Sequence, residues 1–185
     1  TLEYIAATDA AGNNTYLTSE SLNALRFNTD IKVTSSNPDT SGPVLESYEV
    51  SGYEFDVNEG DATFDLNVHL TDDLSGFNNN DYNYNRGNIS LNWISPSGEQ
   101  SVDAYAYLNH ERDISQNYEY EIVDNNLYFK NIEVTIPQYS EPGTWTLESI
   151  EANDAAGNYL DIDRDSDGNY IDDATDEIVH LDFKT

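Results

Sequence analysis

Asp163, Asp165 and Asp167 occupy alternate positions, and Gly168 follows at once, inside the stretch DIDRDSDGNYIDD at 161–173. Oxygen donors at every second residue can converge on one point, and a glycine permits the bend that wraps them round a cation. Asn169 then offers its backbone carbonyl at the seventh position. The twelfth position is Ala174 rather than Glu, so a bidentate ligand has to come from Asp172, Asp173 or further away. Tyr170 stands eighth, where a small aliphatic is usual, and no helical period flanks the loop. The spacing predicts a DxDxDG loop outside an EF-hand. Eight acidic residues between 161 and 177 face one Arg. The alternative to a bound ion is a solvated acidic loop that bears this repulsion unaided. Many ligands on a flexible loop favour Ca2+ over Mg2+.

A second constellation occurs twice. TLEYIAATDAAGN at 1–13 returns as TLESIEANDAAGN at 146–158, with ten of thirteen positions identical at an offset of 145. Each copy is a strand-like run ending in an acidic corner, Asp9 to Asn13 or Asp154 to Asn158. Two oxygen-bearing side chains four apart around a glycine have two uses. They bond their own backbone as a turn, or they offer oxygens to a cation.

Other chemistry finds little support. The chain has no nucleophile elbow, no HExxH and no glycine-rich phosphate loop, and His69, His110 and His180 have no ligand-set spacing. Carboxylate pairs are so abundant that no one pair singles itself out for glycosidase-like work. Trp93 and Trp145 fall in strand alternation and are expected in the core. Phe77, Tyr82 and Tyr84 sit in the loop 77–88 among Asn, Asp and Arg86. Such a loop suits sugar stacking, so a carbohydrate- or ligand-binding module is the second reading.

The elements that must position these residues read as strands. Residues 62–70 put Phe64, Leu66, Val68 and Leu70 on one face, with period two, and place His69 on the polar face. Further strands are expected at 1–8, 27–34, 45–50, 53–57, 89–94, 101–108, 118–122, 127–136, 144–152 and 177–184. In 27–34, Phe27, Ile31 and Val33 are the inward candidates. A short turn is expected around Ser21–Leu25. Gly/Pro turns separate most of these runs, no helical period intervenes, and a β-sandwich is predicted. The linker SSNPDTSGP at 35–43 is the best boundary. It divides the tail of one module, 1–37, from a complete second one, 38–185.

Net charge is −29, from 36 acidic and 7 basic residues. Repulsion at that density calls for screening salt or bound cations. Nucleic acid is disfavoured because no basic patch exists for phosphates. No run is long and apolar enough for a transmembrane helix, so direct membrane insertion is not expected. Cysteine is absent, which excludes disulfides and thiolate metal sites. The chain opens on Thr1 and contains no Met, as expected of a part of a larger protein.

Taken together, the entry linker PDTSGP, the segment DDLSG and the strand TWTLESIEANDAAGN resemble bacterial Ig-like tandem repeats of large calcium-dependent secreted, RTX-type adhesins and surface proteins. Related modules occur as accessory regions of secreted hydrolases. The resemblance covers most of 38–158 and recurs at 1–13. It implies an Ig-like or cadherin-like antiparallel sandwich of about seven to nine strands, behind a two-stranded remnant of a neighbour. It also implies calcium at module ends. One junctional site would use Asp9 and Asn13 with Asp39 and Asp72 or Asp73, and the next would use Asp154 and Asn158. The implied role is a non-catalytic, calcium-stabilised extender that is secreted or displayed on a bacterial surface. Its partners would be neighbouring repeats and a glycan or surface ligand.

Overall fold

A computed structural model of the protein describes residues 2–77, 87–108 and 117–181. Two compact units divide the chain, Thr1–Pro38 and Asp39–Thr185. The first contains an antiparallel hairpin, β1 (Tyr4–Thr8) and β2 (Asn14–Thr18), and a short helix α1 (Ser19–Ala24). Thr18 caps the helix by accepting from the Ser21 N–H, which satisfies one of the donors that a helix start leaves free.

The second unit is an antiparallel β-sandwich with ten strands among its described residues. They are β3 (Val44–Val50), β4 (Ala62–Thr71), β5 (Asn88–Ile94), β6 (Ser101–Tyr107), β7 (Glu119–Val123), β8 (Asn126–Ile136), β9 (Thr146–Asn153), β10 (Tyr159–Arg164), β11 (Tyr170–Asp172) and β12 (Glu177–Val179). One sheet has the order β12-β11-β10-β9-β5-β6 and the other β3-β4-β8-β7. Alternation puts Phe64, Leu66, Val68 and Leu70 of β4 and Leu127, Phe129, Ile132 and Val134 of β8 into the core. Ile89, Leu91, Ala104, Leu147, Ile150 and Ile162 enter it from the other sheet. Trp93 and Trp145 pack against this core as expected, and the Trp145 Nε1–H donates to the Glu141 carbonyl at 3.0 Å. The Tyr118 hydroxyl bonds both the N–H and the carbonyl of Tyr107, each at 3.0 Å, tying the chain beside β7 to the edge strand β6. Burial pushes the Tyr118 phenol up to about 12, so it stays neutral there.

Two β-bulges break the simple alternation. On β8, Leu66 faces Ile132 and Val68 faces Phe129, so β8 carries one extra residue, and Asn131 takes φ +57 to absorb it. On β9, Asn92 faces Ser149 and Trp93 faces Leu147, so Glu148 is extra. That bulge is why Leu147 and Ile150, three apart, both reach the core.

Five expectations need correction. Residues 27–34 form no strand, and Phe27, Ile31 and Val33 are exposed rather than inward. Alternation makes a strand only where a partner completes the ladder. Residues 53–57 likewise form none, and among the described residues of the stretch 177–184, which end at 181, only the three of β12 are strand. Strands β10 and β11 lie where an acidic loop is expected, and they extend the larger sheet. The polar position of His69 is neither free nor fully exposed. Its ring stacks on Tyr128, centroids 4.2 Å apart, and Nε2 lies 2.9 Å from Asn126 Oδ1.

Candidate metal centre

Asp39, Asp72 and Asp154 come from three distant parts of the second unit. Asp39 lies in the entry linker, Asp72 follows β4, and Asp154 follows β9. Each contributes one carboxylate oxygen to a group whose members all lie within 4.8 Å of one another. Asp72 and Asp154 are buried, at 8% and 0% exposure. Among the described residues this is the one such grouping of three acidic or histidine side chains, and none of the three joins an ion pair.

Local turn chemistry holds each carboxylate. Asp72 Oδ2 accepts from the backbone N–H of Leu74 at 3.0 Å and from that of Gly76. Asp39 Oδ1 accepts from the Ser41 N–H at 3.2 Å, and Oδ2 accepts from the Ser75 N–H at 2.8 Å. Asp154 Oδ1 accepts from the N–H groups of Gly157 at 2.7 Å and Asn158 at 2.8 Å. Its Oδ2 accepts from Asn158 Nδ2 at 2.8 Å. The three segments are also laced to one another. The Ala155 N–H donates to the Gly76 carbonyl at 2.9 Å, and the Ala156 N–H donates to Ser75 Oγ at 3.3 Å. Ser75 therefore touches both partner segments of the Asp72 loop. Hydrogen bonding from Ser75, its side chain foremost, holds the Asp39 carboxyl below the usual carboxylate range despite some desolvation.

One oxygen is left over. Asp72 Oδ1 is buried and has no hydrogen-bond partner, and it is the one such side-chain atom among the described residues. A buried carboxylate oxygen without a donor is costly, and two further carboxylates beside it raise the cost. A cation removes both penalties. The donors are all hard oxygens within 4.8 Å of one another, the type of ligand that hard divalent cations take.

Gly42 seats the linker that carries Asp39. A Cβ on Gly42 would lie 2.1 Å from the Tyr159 carbonyl oxygen, at the start of β10. Only a residue without a side chain lets the backbone come so close.

The remaining candidates are placed elsewhere. Asp73, beside Asp72, is exposed. Asp9 and Asn13 belong to the first unit and close on each other: Asp9 Oδ1 accepts from the N–H groups of Ala11 and Asn13, and Oδ2 from Asn13 Nδ2 at 2.8 Å. The aspartate stretch 161–173 is not a wrapped loop but the β10–β11 hairpin. Asp163 pairs in the ladder with Ile171 and Ser149. Asp165 Oδ1 accepts from the N–H groups of Asp167 and Asn169, and Oδ2 from Asn169 Nδ2 at 3.1 Å. Asp167 is exposed, Asp172 ends the other arm of the hairpin, and Asp173 opens the turn that follows it.

Asp165-Ser166-Asp167-Gly168-Asn169 is thus a third copy of the turn at Asp9–Asn13 and Asp154–Asn158. All three place the glycine at φ +86 to +89, which an L side chain adopts only with strain. The signal D-x-x-G-N was present in the sequence, overlaid on D-x-D-x-D-G. Nearby, burial and then the charges of Asp163, Glu151, Asp173 and Asp172 raise the Asp161 carboxyl above the ordinary range. Tyr82, Tyr84, Arg86 and His110 lie outside the described residues. Phe77, at the start of the aromatic loop, is buried in the core.

No family model, no curated protein and no solved structure matches this chain.

Proposed function

We propose that the unit Asp39–Thr185 is a non-catalytic structural module locked by Ca2+ at Asp39, Asp72 and Asp154. The observation that carries the reading is the buried Asp72 Oδ1, partnerless, within reach of two more carboxylates. An ion there ties the entry linker, the loop after β4 and the corner after β9 into one rigid end. Folding then becomes linked to calcium activity, because an ion that binds only the folded state adds RT ln(1+[L]/Kd). The net charge of −29 supports the same reading, since bound cations relieve self-repulsion. Millimolar calcium suits a secreted or cell-surface spacer between neighbouring modules, and that is the setting proposed here.

Thermal unfolding of the whole chain in EDTA and in titrated CaCl2 tests the proposal, with calorimetry for stoichiometry. At a calcium concentration a hundred times Kd the ion contributes about 2.7 kcal/mol, which is a rise of roughly 5–10 °C in Tm for a domain this size. An unchanged Tm at millimolar Ca2+, with no binding heat, would overturn it.

A further inference from the structure

The hairpin β1–β2 is a second copy of β9–β10, and its pairing is identical residue for residue. Tyr4, Ile5, Ala6, Ala7 and Thr8 face Thr18, Leu17, Tyr16, Thr15 and Asn14. Ser149, Ile150, Glu151, Ala152 and Asn153 face Asp163, Ile162, Asp161, Leu160 and Tyr159. Every pair is displaced by the same 145 positions. The corners match as well: the Asp9 N–H donates to the Asn13 carbonyl and the Asp154 N–H to that of Asn158.

What differs is the neighbour on the far side. β9 pairs with β5 along its other edge, while among the described residues β1 pairs with no strand but β2, and only the Leu2 N–H just ahead of it is taken, by the Thr29 carbonyl at 2.7 Å. The burial of equivalent residues follows. Leu147 and Ile150 are 4% and 0% exposed, whereas Leu2 and Ile5 are 45% and 44% exposed. A two-stranded sheet with an apolar face open is unstable in water without a third strand or a packing layer. The opposite face is already furnished: Tyr4 and Tyr16 stack across the hairpin, ring centroids 5.0 Å apart.

We infer that β1 is an acceptor edge for one antiparallel strand of the β5 type. The occupant alternates Ile, Leu and Trp inward with Ser and Asn outward, as Asn88–Ile94 does. It is supplied by a module of the same construction. The β5–β9 register carries over along Tyr4–Thr8, and at Leu2 the incoming strand takes the place of the Thr29 carbonyl. The outward Ser of the incoming strand lies opposite Ala6, as Ser90 lies opposite Glu151, and its first Ile lies opposite Ala7, as Ile89 lies opposite Ala152. This inference does not rest on calcium binding.

The test uses the whole chain with a copy of residues 88–94 joined ahead of it by a flexible linker of about five residues, Gly and Ser, which raises the local concentration. The chain has no cysteine, so introduced pairs report without background. The graft carries a cysteine at the position of Ser90, and the chain carries either Ala6→Cys or Ala7→Cys. In a glutathione redox buffer, the Ala6→Cys pair is expected to form an intramolecular disulfide at least about tenfold more fully, because directly opposed positions meet the Cα spacing a disulfide needs. A scrambled graft of the same composition is expected to lose the preference. Equal cross-linking at Ala6 and Ala7, equal cross-linking by the scrambled graft, or a dominant Ala6→Cys disulfide between two chains would each overturn the inference.

Discussion

The β10–β11 hairpin and the Asp39–Asp72–Asp154 cluster are both acidic, and they distribute their charge in opposite ways. The hairpin gathers its acids from neighbouring positions in the chain and then separates them. Strand alternation sends successive side chains to opposite faces, and Asp165 turns back onto its own backbone. The cluster takes single acids from positions dozens of residues apart and brings them together under the sandwich's end, two of them buried. Density along the sequence and density in space are separate quantities. Only the cluster leaves a buried oxygen without a partner.

That contrast is open to attack, first at Asp72. Asp72→Asn keeps an acceptor for the Leu74 and Gly76 amides but removes the charge. It is expected to abolish the calcium-dependent rise in Tm altogether, with little loss in EDTA. A retained rise would move the ion elsewhere. The double change Asp163→Ala and Asp165→Ala is the converse. It is expected to leave calorimetric ion stoichiometry unchanged, and loss of one bound ion would return the site to the hairpin.

Gly42→Ala comes next in size. It forces the linker off the Tyr159 carbonyl and with it displaces Asp39. Calcium affinity is expected to fall by about tenfold, the equivalent of about 1.4 kcal/mol, read by calorimetry. A wild-type Kd would mean that Asp39 is dispensable.

The two copies of the corner in the second unit offer a matched pair. Asp154→Ala and Asp165→Ala each delete three hydrogen bonds, two of them equivalent, from the N–H and Nδ2 of the Asn four residues on, but Asp154 is fully buried and Asp165 is at the tip of an open hairpin. Asp154→Ala is expected to cost about 2 kcal/mol in EDTA. Asp165→Ala is expected to lower Tm measurably less, and equal losses would show that burial is not what separates them.

The smallest effect is electrostatic. The Asp161 carboxyl is raised, so its folded form binds a proton more tightly than the unfolded chain, and its cost at neutral pH is relieved as pH falls toward the raised value. Asp9, Asp39 and Asp165 are lowered. Their contribution is present above the ordinary Asp range and is lost as pH falls through their depressed folded values. Asp161→Asn is therefore expected to raise Tm slightly at pH 7 and to leave it unchanged at pH 3. A drop at pH 7 would mean that Asp161 has a favourable partner.

Much of the sandwich was legible because its strands are half-buried. Phe64 to Leu70 and Val102 to Ala106 alternate cleanly, and those strands form where the period places them. At 27–34 the same pattern has no ladder to join, and nothing in the pattern itself distinguishes the two cases. The bulge at Glu148 hid the inward pairing of Leu147 with Ile150, because an extra residue resets the face. For the candidate site, the family resemblance implied Asp39 with Asp72 or Asp73 at one module end and Asp154 at the next, whereas Asp39, Asp72 and Asp154 lie in one group.

By itself, then, the amino-acid order determined what acts within about five residues. This covers the DxxGN turns with their glycine at positive φ, the Thr18 helix cap, and which strands have an apolar face. Such features are closed by hydrogen bonds from i to i+2 or i+4 and by local sterics. Which aspartates meet was decided only by tertiary structure. Asp39, Asp72 and Asp154 converge because a linker seated by Gly42, a loop hinged at Ser75 and a corner after β9 end at the same edge of two stacked sheets. Sheet order and register set that distance, and no local rule contains it.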